Sequence, residues 1–529
     1  MVNISENLYD FKDNLLASKR YWLIYLIFIA LTWFSTVYNY DVLHPKLQVV
    51  ALVFIALLGV FCIVYYFMHS SDDELYKVAF VIILSFGLIC CLAVPICHHV
   101  DELEHFTRAE ITSDGVIFPD WIGDERGIDR LYNASSGVSS NLINKDVGFA
   151  SIGSLKFFET NRTMTVYDTP HDTDKINSTF YLRGSAFEQN PFYGYLPQAI
   201  GMFIAKILDL NVIWLLWLGR IFNIIFYAGI VSLAVKKAPG LKMPMIAVAC
   251  IPVAIYQSAS VSIDAMIFAL GLLAIAYFMY LYKSDEKSLD YKHVAIYSAI
   301  CLLLGLCKLP YLAFVFLLLF VPKKNFKKYN IFVILLGILA VAAVGILWSR
   351  YSTPALMHSW RSSYNLIDSS KQMDFLLSDP SQIGVFLKHT VTTGPWDMMS
   401  ELFNYDYWTS ESLARYMPII VLLEIFLAIV LFAYPSDIKF DLKAKLGALF
   451  VFVVVYIGTF FVQLLTWASV GDMFVDVHVR YFIPLFALIP IIVQFSRNPF
   501  KREMFDKYAL VFIVGFAATL VLAVFTRYY

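Results

Sequence analysis

Charged side chains are scarce: Asp, Glu, Lys and Arg make up 15% of the 529 residues, where a soluble domain keeps about a quarter. That scarcity excludes an ordinary soluble globule. With 59% hydrophobic residues and a mean hydropathy of +0.67, the chain reads as an all-α integral membrane protein with many spans. An excess of one charge sign is also missing. The net charge of -1 gives no basic field for nucleic acid. Cysteine is missing where a disulfide would be useful. Cys62, Cys90, Cys91, Cys97, Cys250, Cys301 and Cys307 all lie in or at the ends of apolar runs, and no pair has zinc spacing. They read as small buried apolar residues, which excludes a disulfide-stapled exterior. There is no Gly-x-Gly-x-x-Gly after a strand and no Walker A sequence, so nothing offers a nucleotide its usual cradle. The first apolar run has no small-residue cleavage site, so it is expected to remain as an anchor.

What is present is a succession of apolar runs. They lie near 21–39, 47–68, 77–97, 210–234, 243–258, 262–282, 293–307, 308–321, 330–348, 415–434, 446–467, 478–495 and 507–527. That predicts about thirteen spans, each needing roughly 20 apolar residues. The 293–321 pair is short for two. Basic residues then fix the orientation. Lys19 and Arg20, the Lys236–Lys242 group, the Lys283–Lys292 group, "PKKNFKK", Lys439–Lys445 and Arg497–Lys507 all fall on the cytoplasmic side. This requires that "YLPQAIGMFIAKILDL" lie at the interface rather than cross. The N-terminus is then cytoplasmic.

Two segments are too long to be turns, 98–209 and 349–414, and both fall outside. The expected organisation is N-terminal spans 1–97, a first external loop 98–209, central helices 210–348, a second external loop 349–414 and C-terminal helices 415–529. Long loops on one face argue for a site on that face. In the second, Trp360, Trp396, Tyr405, Tyr407 and Trp408 suit either stacking on sugar rings or an interfacial aromatic belt.

Ionisable residues inside spans are costly, about 2.5–3.5 kcal/mol at the centre on insertion scales, and need a reason. Arg220, Asp264, Lys308 and Arg480 lie within or beside apolar runs. With Asp101 and Glu102, they come from five different spans yet occupy roughly one layer. One such residue alone reads as snorkelling or paired; the set reads as a polar cavity opening outward. Glu424, near mid-span, does not fit the layer.

The stretch "HHVDELEHFTRAE", His98 to Glu110, packs four carboxylates, three histidines and an arginine directly after a span. As a helix, it would put His98, Asp101, Glu102, His105 and Arg108 on one face, with Glu104 and Glu110 solvated. Three readings compete. Glu102-x-x-His105 has the spacing of a bundle metal site, but no second copy exists to complete one. The segment could be a charged juxtamembrane helix. Or a carboxylate could serve as general base beside cations that hold an anionic leaving group.

Several stretches, in order, resemble a bacterial family of polytopic membrane proteins long labelled as of unknown function and grouped with the GT-C glycosyltransferases. They are "DELEHFTRAEITSDGVI", "NPFYGYLPQAIG", "LGRIFN", "IPVAIYQSASVSIDA", "CKLPYL" and "VRYFIPLFALIP", covering roughly 95–495. Val479 stands where that family often has glycine, and the two spans before residue 70 look like an addition. The resemblance implies a GT-C-like helical bundle in a bacterial plasma membrane with an extracytoplasmic active site. It implies sugar transfer from a polyprenyl-phosphate donor to a cell-envelope glycan, with no cofactor beyond the lipid donor and no metal. Asp101 or Glu102 would be the base. His105, Arg108, Arg220, Asp264, Lys308, His478, Arg480 and Tyr481 would bind substrate or brace the cavity. The rival class is a transporter or flippase of a lipid-linked sugar, which would favour broken helices at mid-membrane.

Overall fold

The computed structural model describes residues 4–39, 44–119, 154–162, 164–169, 174–179, 186–358, 367–395, 402, 419–436, 438–475, 477–494 and 501–529. Trp360, Trp396, Tyr405, Tyr407 and Trp408 lie outside the described residues. Among those described there is no β-strand, only the isolated bridges Lys175–Asn211 and Leu289–Phe326.

The chain opens with α1 (Ile4–Ala17), α2 (Lys19–Asn39), α3 (Pro45–Met68) and α4 (Leu75–Ala93). The first external segment holds α5 (Glu102–Ser113), α6 (Leu155–Thr160) and α7 (Leu196–Ile207). Then follow α8 (Ile213–Lys237), α9 (Lys242–Ala249), α10 (Pro252–Ser258), α11 (Asp264–Lys283) and α12 (Tyr291–Cys307). A 3₁₀ segment, Leu309–Phe320, leads to α13 (Ile331–His358), α14 (Ser369–Ser378) and α15 (Ser381–Thr392). The chain ends with α16 (Ile419–Phe432), α17 (Leu442–Trp467), the short α18 (Ile483–Phe486) and α19 (Ile489–Ile492), and α20 (Arg502–Tyr528).

Seven helices among the described residues are long and apolar enough to cross a membrane: α3, α4, α8, α11, most of α13, α17 and α20. An eighth crossing is available if α1 and α2, bent by 69° at their junction, form one span. Over the described residues the other predicted spans are helical but shorter or broken. The 243–258 run is split into α9 and α10 at Cys250–Ile251, where Pro252 begins the second piece. The 478–495 run, carrying Pro484 and Pro490, is a 3₁₀ turn followed by α18 and α19. Proline at the first helical positions starts each fragment and denies a backbone donor to the one before it.

Burial ranks the helices. The apolar windows of α11 and α20 are 83% and 89% buried, and those of α13 and α17 only 22% and 33%. The first two form the centre, and the others turn most of their surface outward, as lipid-facing helices do. Close approach needs small residues. A Cβ at Gly201 would lie 2.3 Å from the Leu218 carbonyl oxygen, so glycine lets α7 lie directly on the backbone of α8. Residues Leu196, Ile200, Phe203 and Ile207 line the opposite, exposed side of α7. At 12 residues α7 is too short to span, as the interfacial reading required.

Polar groups gather at the two ends of the bundle. At one end Asp72 pairs with Arg502 at 2.5 Å, Lys242 donates to the Asp72 carbonyl at 2.5 Å and Tyr434 donates to Asp506 at 2.9 Å. The Asn325 amide there caps the Leu281 and Tyr282 carbonyls, both at 3.0 Å. At the other end sit Asp101, Glu102, Arg220, Asp264, Lys308 and Arg480.

Candidate functional site

The stretch after α4 is not one helix. His99–Glu102 form a turn, closed by the Glu102 amide on the His99 carbonyl at 3.2 Å, and α5 starts at Glu102 with Asp101 as its N-terminal flank in the left-handed region, φ 59°. Asp tolerates that conformation better than most residues. His98 therefore does not share a helix face with Glu102 and His105; its ring packs on Tyr528 instead. The turn also sends two adjacent carboxylates in different directions.

Glu102 goes inward. Its carboxylate receives Arg220 Nε at 2.8 Å and Nη2 at 2.6 Å, with both side chains at 0% exposure. Glu102 Oε1 also accepts the Val261 amide at 3.0 Å. Arg220 spends its remaining donors on the carbonyls of Cys91, Val94 and Pro95. The pair thus ties the end of α4 and the start of α5 to α8 and to the turn before α11. Asn223 and Gln198 hold the same turn, through the carbonyls of Ser260 and Ser262. Asp264, first residue of α11, is carried into place by that turn.

Asp101 goes to Arg480. Arg480 Nη2 donates to its carboxylate at 2.8 Å, and Asp264 Oδ2 lies 3.7 Å from Arg480 Nε. The Asp101 side chain keeps 18% exposure. Arg480 is 4% exposed, yet among the described residues its Nη1 has no hydrogen-bond partner, nor does Asp264 Oδ2. Lys308, where α12 passes into the 3₁₀ segment, sits with Nζ 3.0 Å from the centre of the Tyr481 ring. The guanidinium is paired with two carboxylates, as buried charges are as a rule, and keeps a donor that a ligand could take.

Asp264, Lys308, Arg480 and Tyr481 line a cavity of ≈ 200 Å³ at this end of the bundle. His105 lines it too. The His105 ring stacks on Phe187 at 4.1 Å and its Nδ1 meets the Tyr195 hydroxyl at 2.6 Å. That hydroxyl also accepts from the Asn190 amide at 3.0 Å, which fixes the place of the His105 ring.

Other expected binding residues stand elsewhere. Arg220 and Glu102 are consumed by each other and do not line the cavity. Arg108 is a loop clamp: it donates to Thr112 Oγ1 and to the carbonyls of Asn190, Val116 and Ile117. His478 packs on the Tyr481 ring from outside the cavity lining. Glu110, expected in solvent, is buried against α7, where it accepts from Lys206 at 2.6 Å. Burial lifts its carboxyl to about 7, against the pull of Lys206. Glu104 accepts the Ala186 amide at 3.3 Å. His99 is fully buried on Tyr256, and among the described residues neither ring nitrogen is bonded; burial and the nearby Arg220 hold it neutral.

Sequence reasoning missed the far wall of the cavity. Thr459, Val462, Gln463, Thr466 and Trp467 of α17 face Trp348, Ser352, Thr353 and Leu356 of α13 across it. The α17 set recurs at i, i+3, i+4, i+7 and i+8, one helix face, and polar residues at that spacing in an apolar run were a readable signal. Among the described residues no three His, Cys, Asp or Glu side chains are grouped to hold a metal. Glu102-x-x-His105 in particular diverges, one to Arg220 and the other to Tyr195.

These features define a polytopic helical membrane protein with a charged cavity at one end of its bundle. The chain belongs to the family described as predicted membrane protein (DUF2142), whose model matches residues 84–489. The match begins within α4, so α1–α3 lie outside it. No curated protein and no solved structure matches the chain.

Proposed function

We propose that this protein is a membrane glycosyltransferase that moves a sugar from a polyprenyl-phosphate donor to a cell-envelope glycan. The observation that carries this reading is the buried Arg480, whose Nη1 has no partner among the described residues: with Lys308 and Asp264 it lines a cavity at one end of the bundle, and Asp101, outside that lining, is bonded to it. Arginine suits phosphate because its planar fork gives paired hydrogen bonds. In this reading, which the basic residues of the short loops support, this end lies outside the cytoplasm, on the outer face of a bacterial plasma membrane.

In this reading Arg480 and Lys308 hold the donor phosphate. Asp101 takes the proton of an acceptor hydroxyl, whose oxygen attacks the anomeric carbon. The bond from that carbon to the phosphate oxygen breaks, and its electron pair leaves with the polyprenyl phosphate. Cations placed where that charge develops lower the barrier. Asp101 is favoured over Glu102 as base because it is partly exposed, whereas both Glu102 oxygens already accept from Arg220. The donor phosphate would take Nη1 of Arg480 while Asp101 accepts from Nη2, so donor and base would share one guanidinium. No cofactor is assigned.

A second reading, transport of a lipid-linked sugar between leaflets, is favoured by the irregular segments that begin at Lys308 and His478 and by the break between α9 and α10. One experiment separates the two. Purified protein in lipid vesicles receives radiolabelled polyprenyl-phosphate sugars and envelope extract as acceptor. Transfer of label by wild type, lost in Arg480→Ala, is the expected result. No transfer from any donor, with movement of labelled lipid across the bilayer, would replace the enzyme by the transporter.

A further inference from the structure

The cavity has two chemically different halves, and the proposed reaction uses only one. Arg480, Lys308 and Asp264 make the charged half. The other is the wall between α17 and α13, with Gln463, Thr466, Trp467, Trp348 and Thr353.

Gln463 is the residue in that wall that needs explaining. It is half-buried, one turn from the C-terminal end of a 26-residue apolar helix, where a side-chain amide is out of keeping with its neighbours. Its neighbours on the stripe look after themselves: Thr459 donates to the Val455 carbonyl and Thr466 to the Val462 carbonyl, each at 2.7 Å. Each hydroxyl oxygen thereby keeps lone pairs for an incoming donor. The Gln463 amide makes no hydrogen bond among the described residues, and it lines the cavity rather than the lipid face. It offers two donors and an acceptor in a fixed plane. Trp348 and Trp467, on opposite walls, add flat apolar faces. Amide, hydroxyls and indoles together suit a ring with hydroxyls at its rim and C–H groups on its face.

We infer that this wall is the subsite for the donor's sugar, that the sugar is a neutral polyol ring, and that Gln463 reads one of its hydroxyls and so sets specificity. This deepens the reading above and rests on it. A site built to bond a hydroxyl discriminates strongly against a ring that lacks or inverts it, because its own polar group is then left unpaired.

The test measures binding, so that it stands apart from catalysis. Full-length protein in detergent is titrated with undecaprenyl phosphate and with the same lipid carrying glucose, galactose, mannose, arabinose or glucuronic acid. Bound lipid is read by native mass spectrometry. At least one neutral sugar is expected to bind about tenfold tighter than the bare lipid phosphate, the scale of one or two hydrogen bonds. Gln463→Leu, which makes the span more apolar, is expected to abolish that advantage and leave the bare lipid phosphate unchanged. Thr466→Val should reduce it by less. The inference is overturned if no neutral sugar improves on the bare lipid, if glucuronic acid binds best, or if Gln463→Leu weakens every lipid equally. Arg480→Ala reports on the other half: it should weaken all the lipids alike. If it changes none of them, the phosphate reading fails whatever Gln463 does.

Discussion

Glu102 and Arg220 meet in a two-point ion pair, Nε to one carboxylate oxygen and Nη2 to the other, with both side chains fully buried. Removing one partner strands the other charge in a medium that cannot solvate it. Glu102→Gln or Arg220→Met should therefore cost about 3–5 kcal/mol, whereas the double replacement Glu102→Leu/Arg220→Met should recover much of the loss. Thermal unfolding of the purified variants in detergent checks this. A Glu102→Gln protein of unchanged stability would show that the pair carries no such weight.

Asp101→Asn is expected to act on chemistry rather than fold. Asparagine accepts the left-handed φ of 59° as readily as aspartate and keeps a hydrogen-bond acceptor for Arg480. It cannot take a proton. Sugar transfer should fall by about 10²–10⁴-fold with thermal stability held, the scale of a lost general base. Equal transfer by wild type and variant would remove Asp101 from the reaction.

Glu110 supplies a pH dependence with a definite sign. Its carboxyl is lifted from 4.5 to about 7 in the folded protein, mainly by burial. Between those values the folded state holds a proton that the unfolded state has lost. Its contribution is thus fully present below pH 4.5 and lost as pH rises through about 7. The melting temperature of wild type should fall between pH 5 and 8 relative to Glu110→Gln. Lys206→Met removes the cation that lowers this carboxyl, so the fall should move to higher pH.

Gly201→Ala tests the seat of α7 on α8. The added Cβ would stand 2.3 Å from a backbone oxygen that no rotamer change can move, so the helices must separate. A loss of about 1–3 kcal/mol is expected. Gly229→Ala, whose Cβ would meet nothing within 4 Å, serves as the control and should be neutral or slightly stabilising.

The layer formed by Asp264, Lys308 and Arg480 was legible in the sequence because each sits at an end of an apolar run, where a charge is expensive, and the order of the runs brings those ends to one side. What that pattern could not resolve was direction at the scale of one residue. A helix drawn through His98–Glu110 puts Asp101 and Glu102 side by side. One left-handed residue at the helix start instead sends them to arginines 379 and 118 positions away. Glu110 was misread for a related reason: its burial depends on α7 folding back over α5, which no local spacing encodes. The α17 stripe was different. "TFFVQLLTW" carried it openly, but apolar residues between the polar ones hid the period.

The two aspartate and glutamate partnerships also differ in when they can form. Helices enter the bilayer in the order of synthesis, and Glu102 meets Arg220 once α8 has been made. Asp101 must wait until residue 480 emerges, after every crossing except α20. The Glu102–Arg220 tie can thus form long before the Asp101–Arg480 pair, while α20, at the centre of the bundle, follows both. A nascent chain therefore carries Asp101 without its arginine until residue 480 arrives.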